Sequence, residues 1–140
     1  MAVDETIQDR VLIRERFACY SDAAFQCDVE RYLDCWAEDG VRIGQGVEVR
    51  GKTALRAQWE QIWKPLDKLA FFTEPVILDV AGVRATARCY CREIFTLKSG
   101  AMRKIVGLYH DVLIRENGIW RFARREYELF MDEGESRPGI

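Results

Sequence analysis

Two side chains stand where they could move a proton. In VRATARCYCREIFTL, residues 83–97, Ala85, Ala87, Cys89, Cys91, Glu93, Phe95 and Leu97 share one face of a strand. Arg84, Thr86, Arg88, Tyr90 and Arg92 share the other. Glu93 is the one carboxylate in an otherwise apolar row. Turned toward a core it loses solvation, its pKa rises, and it becomes a candidate general base or acid. A bulge that resets the parity would instead leave it in solvent beside Arg92. His110, the sole histidine, alternates with Val106, Leu108 and Val112. That apolar set points it into the same interior, where its ordinary pKa suits proton transfer; a core or interface histidine fits the pattern too. Tyr109 and Asp111 then fall on the opposite face.

A second pattern points elsewhere. GVEVRGKT, residues 46–53, matches the phosphate-binding G-x-x-x-x-G-K-[ST] pattern letter for letter. Such a loop must wrap phosphates with its backbone N–H groups between a buried parallel strand and a helix. Val47 and Val49 instead favour extended backbone, and Glu48 would bring a carboxylate to the phosphates. No nucleotide partner is expected. Gly51 reads as the turn before a helix.

Bulk properties exclude several classes. With 49% apolar and 31% charged residues, the 140-residue chain has the make-up of one globular domain, 1–140, not of a disordered segment. A net charge of −2 without a basic stripe argues against nucleic acid. No apolar run approaches a membrane span, and the acidic start MAVDETIQDR is no signal peptide. Five cysteines, an odd count, suit reduced thiols and a cytoplasmic location. Cys89 and Cys91 with one histidine make a poor zinc site, so neither a metal nor another cofactor is expected.

The elements that must position these groups come in a definite order. A helix over about 5–25 follows Asp4 as cap. A second, DVERYLDCWAEDG, starts from Asp28, carries Leu33, Trp36 and Ala37 as its stripe, and ends at Gly40. Val41–Val49 reads as a hairpin turned at Gly44-Gln45-Gly46. A third helix after Gly51 carries Leu55, Trp59, Ile62 and Trp63 and stops at Pro65. Strands follow at 76–80, 83–97, 102–115 and 119–130, with Asn117-Gly118 the strongest hairpin signal. The core spans about 5–130, and 131–140 reads as a loose tail. Three helices packed on a mostly antiparallel sheet make an α+β domain.

CYSDAAFQCDVERYLDCWAEDG, then VEVRGKTALRAQW, then GLYHDVLIRENGIWRFARR, together resemble the SnoaL-like branch of the NTF2-like superfamily. The matching pieces are Trp36 to Asp39, Gly51 to Leu55 and Gly107 to Arg121, within a resemblance spanning about residues 7–127. It implies a cone-shaped fold, a curved sheet around a helix enclosing an apolar pocket. It also implies a cofactor-free lyase or isomerase acting by proton transfer on an aromatic, polyketide-like or steroid-like substrate. A non-catalytic ligand-binding or assembly subunit is the alternative within the superfamily. Tyr20 matches the helix tyrosine of the dehydratase-like members, and Arg125 falls where some hold a pocket arginine. The family-like Tyr-x-Asp at Tyr109 to Asp111 implies a structural Asp111, paired with an arginine on a neighbouring strand. Phe25 stands where their aspartate would be, and Phe72 or Thr73 where their histidine would be, so the Asp–His base is missing. The expected catalytic set is therefore Glu93, His110, Tyr20 and Arg125. The expected substrate-binding set is Trp59, Trp63, Phe72, Cys91 and Phe25. A surface salt bridge for Arg125 and a solvent-reaching Tyr20 are the alternatives at those positions. The resemblance also implies a homodimer through the exposed sheet face, alongside a small apolar or aromatic ligand.

Overall fold

A computed structural model describes residues 2–132, with side chains from Glu5 onward. The elements are α1 (Ala2–Gln26), α2 (Val29–Asp34), β1 (Trp36–Gly44), β2 (Val47–Arg50), α3 (Lys52–Trp63), β3 (Leu66–Ala81), β4 (Arg84–Leu97), β5 (Met102–Glu116) and β6 (Ile119–Asp132). One six-stranded sheet has the order β2-β1-β6-β5-β4-β3. Only the β1–β6 contact is parallel; every other neighbouring pair is antiparallel. Register shifts in β3, β6 and β1 bend and twist the strands, so the sheet curves around the helices without closing. The α+β architecture expected from the sequence is present. Among the described residues no helix is long and apolar enough to cross a membrane.

The first helix crosses the concave face, chiefly against β3 and β6. Asp9, Ile13, Phe17, Tyr20 and Ala24 recur at helical spacing and are all buried. Burying Asp9 would be costly without partners, and it has three contacts. Its Oδ1 accepts from Trp120 Nε1 at 2.8 Å, and both its oxygens accept from Arg115 Nη1 at 2.9 and 3.0 Å. Arg16 Nε donates to the Trp120 carbonyl at 2.8 Å, and Arg10 Nη1 to the Leu78 carbonyl at 2.7 Å. The helix is thus clamped to the β5–β6 hairpin and to β3. That hairpin turns at Asn117 and Gly118, both with positive φ, as a two-residue turn of its type requires.

Three boundaries differ from the sequence expectation. The first helix begins at Ala2, so Asp4 lies within it and not ahead of it; the Asp4 side chain is outside the described residues. The second helix is capped by Asp28 as expected, its side chain accepting from Arg31 N at 3.1 Å, but it ends at Asp34. Trp36 and Ala37 belong to β1, because β6 captures the chain: Phe122 N donates to the Cys35 carbonyl at 2.8 Å. Pairing with β6 buries Trp36 completely, and that outweighs the helical stripe. Gly40 consequently sits inside a strand. A Cβ there would come within 2.8 Å of the Trp36 ring, so the glycine answers a close approach, not a helix end. Finally β3 runs from Leu66, far ahead of the expected 76–80. Pairing with β4 recruits its whole length, with Pro75, which has no N–H to donate, at a register shift.

The β1–β2 hairpin and α3 fall where expected, which settles the geometry of GVEVRGKT. Val47–Arg50 pairs with β1, so those backbone groups serve the sheet and form no phosphate cradle. Gly51, at φ +86°, turns the chain into α3, and Lys52 Nζ lies 3.6 Å from Glu38 Oε1. At the other end β6 includes Met131 and Asp132, so the expected tail does not begin at 131; residues 133–140 lie outside the described residues.

The clamp makes Asp9 a stability residue. Asp9→Ala strands the buried indole N–H and frees Arg115, and should cost about 2–3 kcal/mol in urea unfolding with an unchanged m-value. A loss below about 0.5 kcal/mol would show that α1 is held by apolar packing alone.

Candidate functional site

The concave face is filled at one end and hollow at the other. At the filled end Phe17, Tyr20, Trp36, Phe71 and Phe122 pack ring against ring, with centroids 5.1–6.1 Å apart. Beside them lies a buried ion pair. Arg125 Nε and Nη2 donate to the two Asp111 oxygens at 2.7 and 3.1 Å, and both side chains are fully buried. The guanidinium carbon sits 3.9 Å from the Tyr109 ring centroid, 4.3 Å from Phe122 and 4.5 Å from Tyr20. Burial works against the Arg125 charge, but Asp111 and the surrounding tyrosines hold its pKa well above the usual value.

The hollow end is a half-open cavity of about 440 Å³ between the sheet, α3 and the β1–β2 hairpin. Among the described residues no α1 side chain lines it. Leu66, Leu69, Phe95, Ile105 and Leu129 supply apolar walls, and Arg103 with its ion-pair partner Asp132 stands among the lining residues. Six further polar side chains line the same space: Glu93, Arg42, Tyr109, Tyr127, Gln58 and Gln45.

Glu93 arrives there by simple strand parity. Cys89 and Cys91, four and two residues earlier, are buried on the same row, and β4 pairs with β5 without a register shift. Burial raises the Glu93 pKa above the usual carboxylate range, and Arg42 pulls against that rise. Arg42 points in from β1. Burial opposes its charge, but the tyrosine oxygens, Tyr109 first, more than compensate and raise its pKa. Tyr109 is buried, and burial pushes its hydroxyl pKa well up. The Tyr127 hydroxyl and Gln58 Oε1 are buried without a hydrogen-bond partner among the described residues. A desolvated carboxylate, a nearby cation and free hydroxyl donors in an apolar chamber are the parts for removing a proton from carbon and steadying the resulting oxyanion.

The expected site residues divide around this cavity. Glu93 lines it. His110 does not: it is exposed on the convex face, with Nε2 4.0 Å from Glu128 Oε2. The physical reason is parity, since Asp111 and Tyr109 turn inward to meet Arg125 and so carry His110 outward. The expectation that Tyr109 and Asp111 face away from the interior is reversed by the same fact, while the pairing of Asp111 with an arginine on a neighbouring strand is what the structure shows. Tyr20 and Arg125 are packed in the filled end, and neither lines the cavity.

Nor do the expected substrate-binding residues reach it. Trp59 packs on Tyr32, centroids 4.4 Å apart, and Trp63 leans on Trp59 at 5.6 Å. Cys91 is buried behind the cavity floor, its thiol pushed up to about 12 by burial and then by Glu93. Phe25 and Phe72 form an exposed edge-to-face pair, centroids 5.2 Å apart, over a surface groove between α1 and β3. Beside them Ser21 Oγ and Thr73 Oγ1 are 2.7 Å apart. Reading the sequence missed Arg42, Tyr109, Tyr127 and Gln58. Arg42 and Gln58 carry no local signal. Tyr127 could have been found from its parity with Arg125 along β6.

A cone built from a long helix and a curved, unclosed sheet, hollow at its wide end, defines an α+β domain of the NTF2-like fold. The chain belongs to the SnoaL-like domain family, whose model matches residues 5–126. Among solved structures it is similar to a protein of unknown function from Mycobacterium tuberculosis, at 27% identity and a TM-score of 0.83 over 91% of this chain and 75% of that one. A Novosphingobium aromaticivorans protein ascribed to the scytalone dehydratases superposes at 0.88, with 19% identity over 96% and 93% of the two chains. The hexachlorocyclohexane dehydrochlorinase LinA-type3 of Novosphingobium barchaimii superposes at 0.86, with 14% identity over 100% and 97%. No curated protein matches by sequence.

Two measurements check this electrostatic layout. Because its pKa is raised, folded Glu93 keeps a proton that the unfolded chain has already released, so stability falls as pH rises through that window. Glu93→Gln should leave Tm unchanged near pH 4 and raise it by roughly 2–4 °C near pH 8; a Tm lowered at both would contradict a desolvated carboxylate. Asp111→Ala leaves Arg125 buried and alone, and should cost about 3–5 kcal/mol in chemical denaturation, against under about 1 kcal/mol if the pair were dispensable.

Proposed function

We propose that this protein is a small-molecule enzyme of the lyase or isomerase type, which takes a proton from carbon with the Glu93 carboxylate. The observation carrying this reading is the place of Glu93: a carboxylate stripped of much of its water, facing the cavity, with Arg42 beside it. Desolvation strengthens the carboxylate as a base, and Arg42 pulls against the rise in its pKa. As the proton leaves a carbon next to a carbonyl, negative charge moves onto the carbonyl oxygen, where Arg42 and the Tyr109 hydroxyl can meet it. The volume of about 440 Å³ lies in the range of small-ligand sites and suits a flat molecule of two or three fused rings. Dehydration and dehydrochlorination, the reactions in the names of the two Novosphingobium proteins, also take a proton from carbon. The base proposed here stands on β4, away from the α1 and β3 positions of the dehydratase-like pattern, so the substrate need not be theirs.

The test needs no knowledge of the natural substrate. 2-Tetralone, a flat ketone with acidic C–H bonds, exchanges those protons for deuterium in heavy water, and NMR follows the rate. The protein should catalyse the exchange increasingly as pH rises through the Glu93 ionisation, and Glu93→Gln should slow it at least 100-fold. Equal rates for the wild type and Glu93→Gln would remove the catalytic reading and leave a ligand-binding domain.

A further inference from the structure

Gly107 poses a question that its backbone does not answer. It is not among the residues with positive φ, so no turn or left-handed conformation demands a glycine there. It sits in mid-strand on β5, opposite Cys91 on β4 and Leu129 on β6. What it provides is room. A Cβ at Gly107 would lie 2.5 Å from the Tyr127 hydroxyl oxygen and 2.6 Å from its Cζ, closer than any real Cβ contact. The Tyr127 phenol therefore lies flat across the β5 backbone, reaching from β6 toward β4. Gly44 of β1 backs the root of the side chain, 3.1 Å from where its own Cβ would be. Tyr109 meets the ring edge-to-face with centroids 5.2 Å apart.

Held on three sides, the ring delivers its hydroxyl to the cavity that Glu93 lines. That hydroxyl is buried and has no hydrogen-bond partner among the described residues. It does not spend its proton on Glu93, so the base stays free and the donor stays free. Burial, followed by the field of Glu93, raises the Tyr127 pKa and keeps the phenol protonated, as a donor must be.

We propose that Tyr127 donates the hydrogen bond that recognises the ligand's carbonyl or enol oxygen, and that Gly107 is the positioning residue that lays Tyr127 there. The ligand class follows: a flat apolar molecule bearing one oxygen acceptor beside the carbon that Glu93 deprotonates. The inference rests on the proposed function but makes a claim of its own, since it concerns where the Tyr127 hydroxyl stands.

Tyrosines labelled with ¹³C at Cζ give one signal each from five residues, and Tyr127→Phe assigns the fifth. 2-Naphthol, whose oxygen mimics an enolate, is the probe. Its addition should shift the Tyr127 signal. Tyr127→Phe and Gly107→Ala should each weaken 2-naphthol binding about tenfold, the worth of one hydrogen bond. The double variant should bind no worse than either alone, because a displaced phenol has nothing left to lose. Gly107→Ala has ordinary backbone angles to adopt and only the far end of a side chain to push aside, so it should fold. If Gly107→Ala binds 2-naphthol as the wild type does, or the Tyr127 signal ignores the bound probe, the inference is wrong. If 2-naphthol does not bind even the wild type, the proposed function fails instead. The pH titration then decides the placement: a Tyr127 signal that steps with Glu93 ionisation in the wild type but not in Gly107→Ala supports it, and a flat wild-type signal overturns it.

Discussion

Asp111 and Arg125 face each other across β5 and β6, both sealed from water, and the register of the whole inner face depends on their meeting. Directly opposed in the strand pairing, they form a two-pronged contact that tolerates no slip. Sliding β5 by one residue against β6 would turn its inward side chains outward, Asp111 among them, and leave Arg125 buried without its partner. With the pair in place, Tyr109 and Gly107 follow inward on β5, and Tyr127 and Leu129 on β6. A polar interaction that contributes little net stability by itself can thus choose one arrangement over its alternatives. The aromatic faces stacked on Arg125 complete the choice, since a planar guanidinium keeps ring contacts that an ammonium would not.

The same pair divides the interior into two regions with different duties. Around it the rings of Phe17, Tyr20, Trp36 and Phe122 leave no usable space, and α1 is fastened there through Asp9. Farther along the strands α1 no longer covers the sheet, and α3 with the β1–β2 hairpin roofs a chamber instead. One end supplies stability and the other supplies room. Placing desolvated groups such as Glu93 and Arg42 in the chamber costs stability, which the packed end must offset. This explains why the α1 residues matched to the dehydratase-like pattern, Tyr20 and Phe25, lie away from the cavity. They belong to the packed end and to the outer surface.

Much of the architecture was legible along the chain because local rules agreed with the final fold. The β4 alternation, the Asn117-Gly118 turn, the Asp28 cap and the helix opened by Gly51 are each governed by neighbours within a few residues. Where long-range pairing competed with local pattern, pairing won. Trp36 reads as part of a helical stripe and lies in a strand because β6 takes it; residues 66–75 have no clear pattern of their own and are strand because β4 pairs with them. For His110 the alternation was sound but the sign was wrong. Both faces of β5 carry apolar residues, so the choice of the inner one was not local.

The sequence by itself determined the α+β order of elements and the inward row that contains Glu93, since these follow from period and turn chemistry, while the family was legible only through the resemblance of its motifs. Only the tertiary structure decided which strand face looks into the chamber and which residues from distant elements meet Glu93 there. Arg42, Tyr109, Tyr127 and Gln58 come from β1, β5, β6 and α3, and nothing in their spacing along the chain announces a common site. The physical reason is that periodicity records how a segment sits on its own neighbours. The identity of the groups across a cavity is set by strand order, register and helix placement, which are properties of the assembled chain.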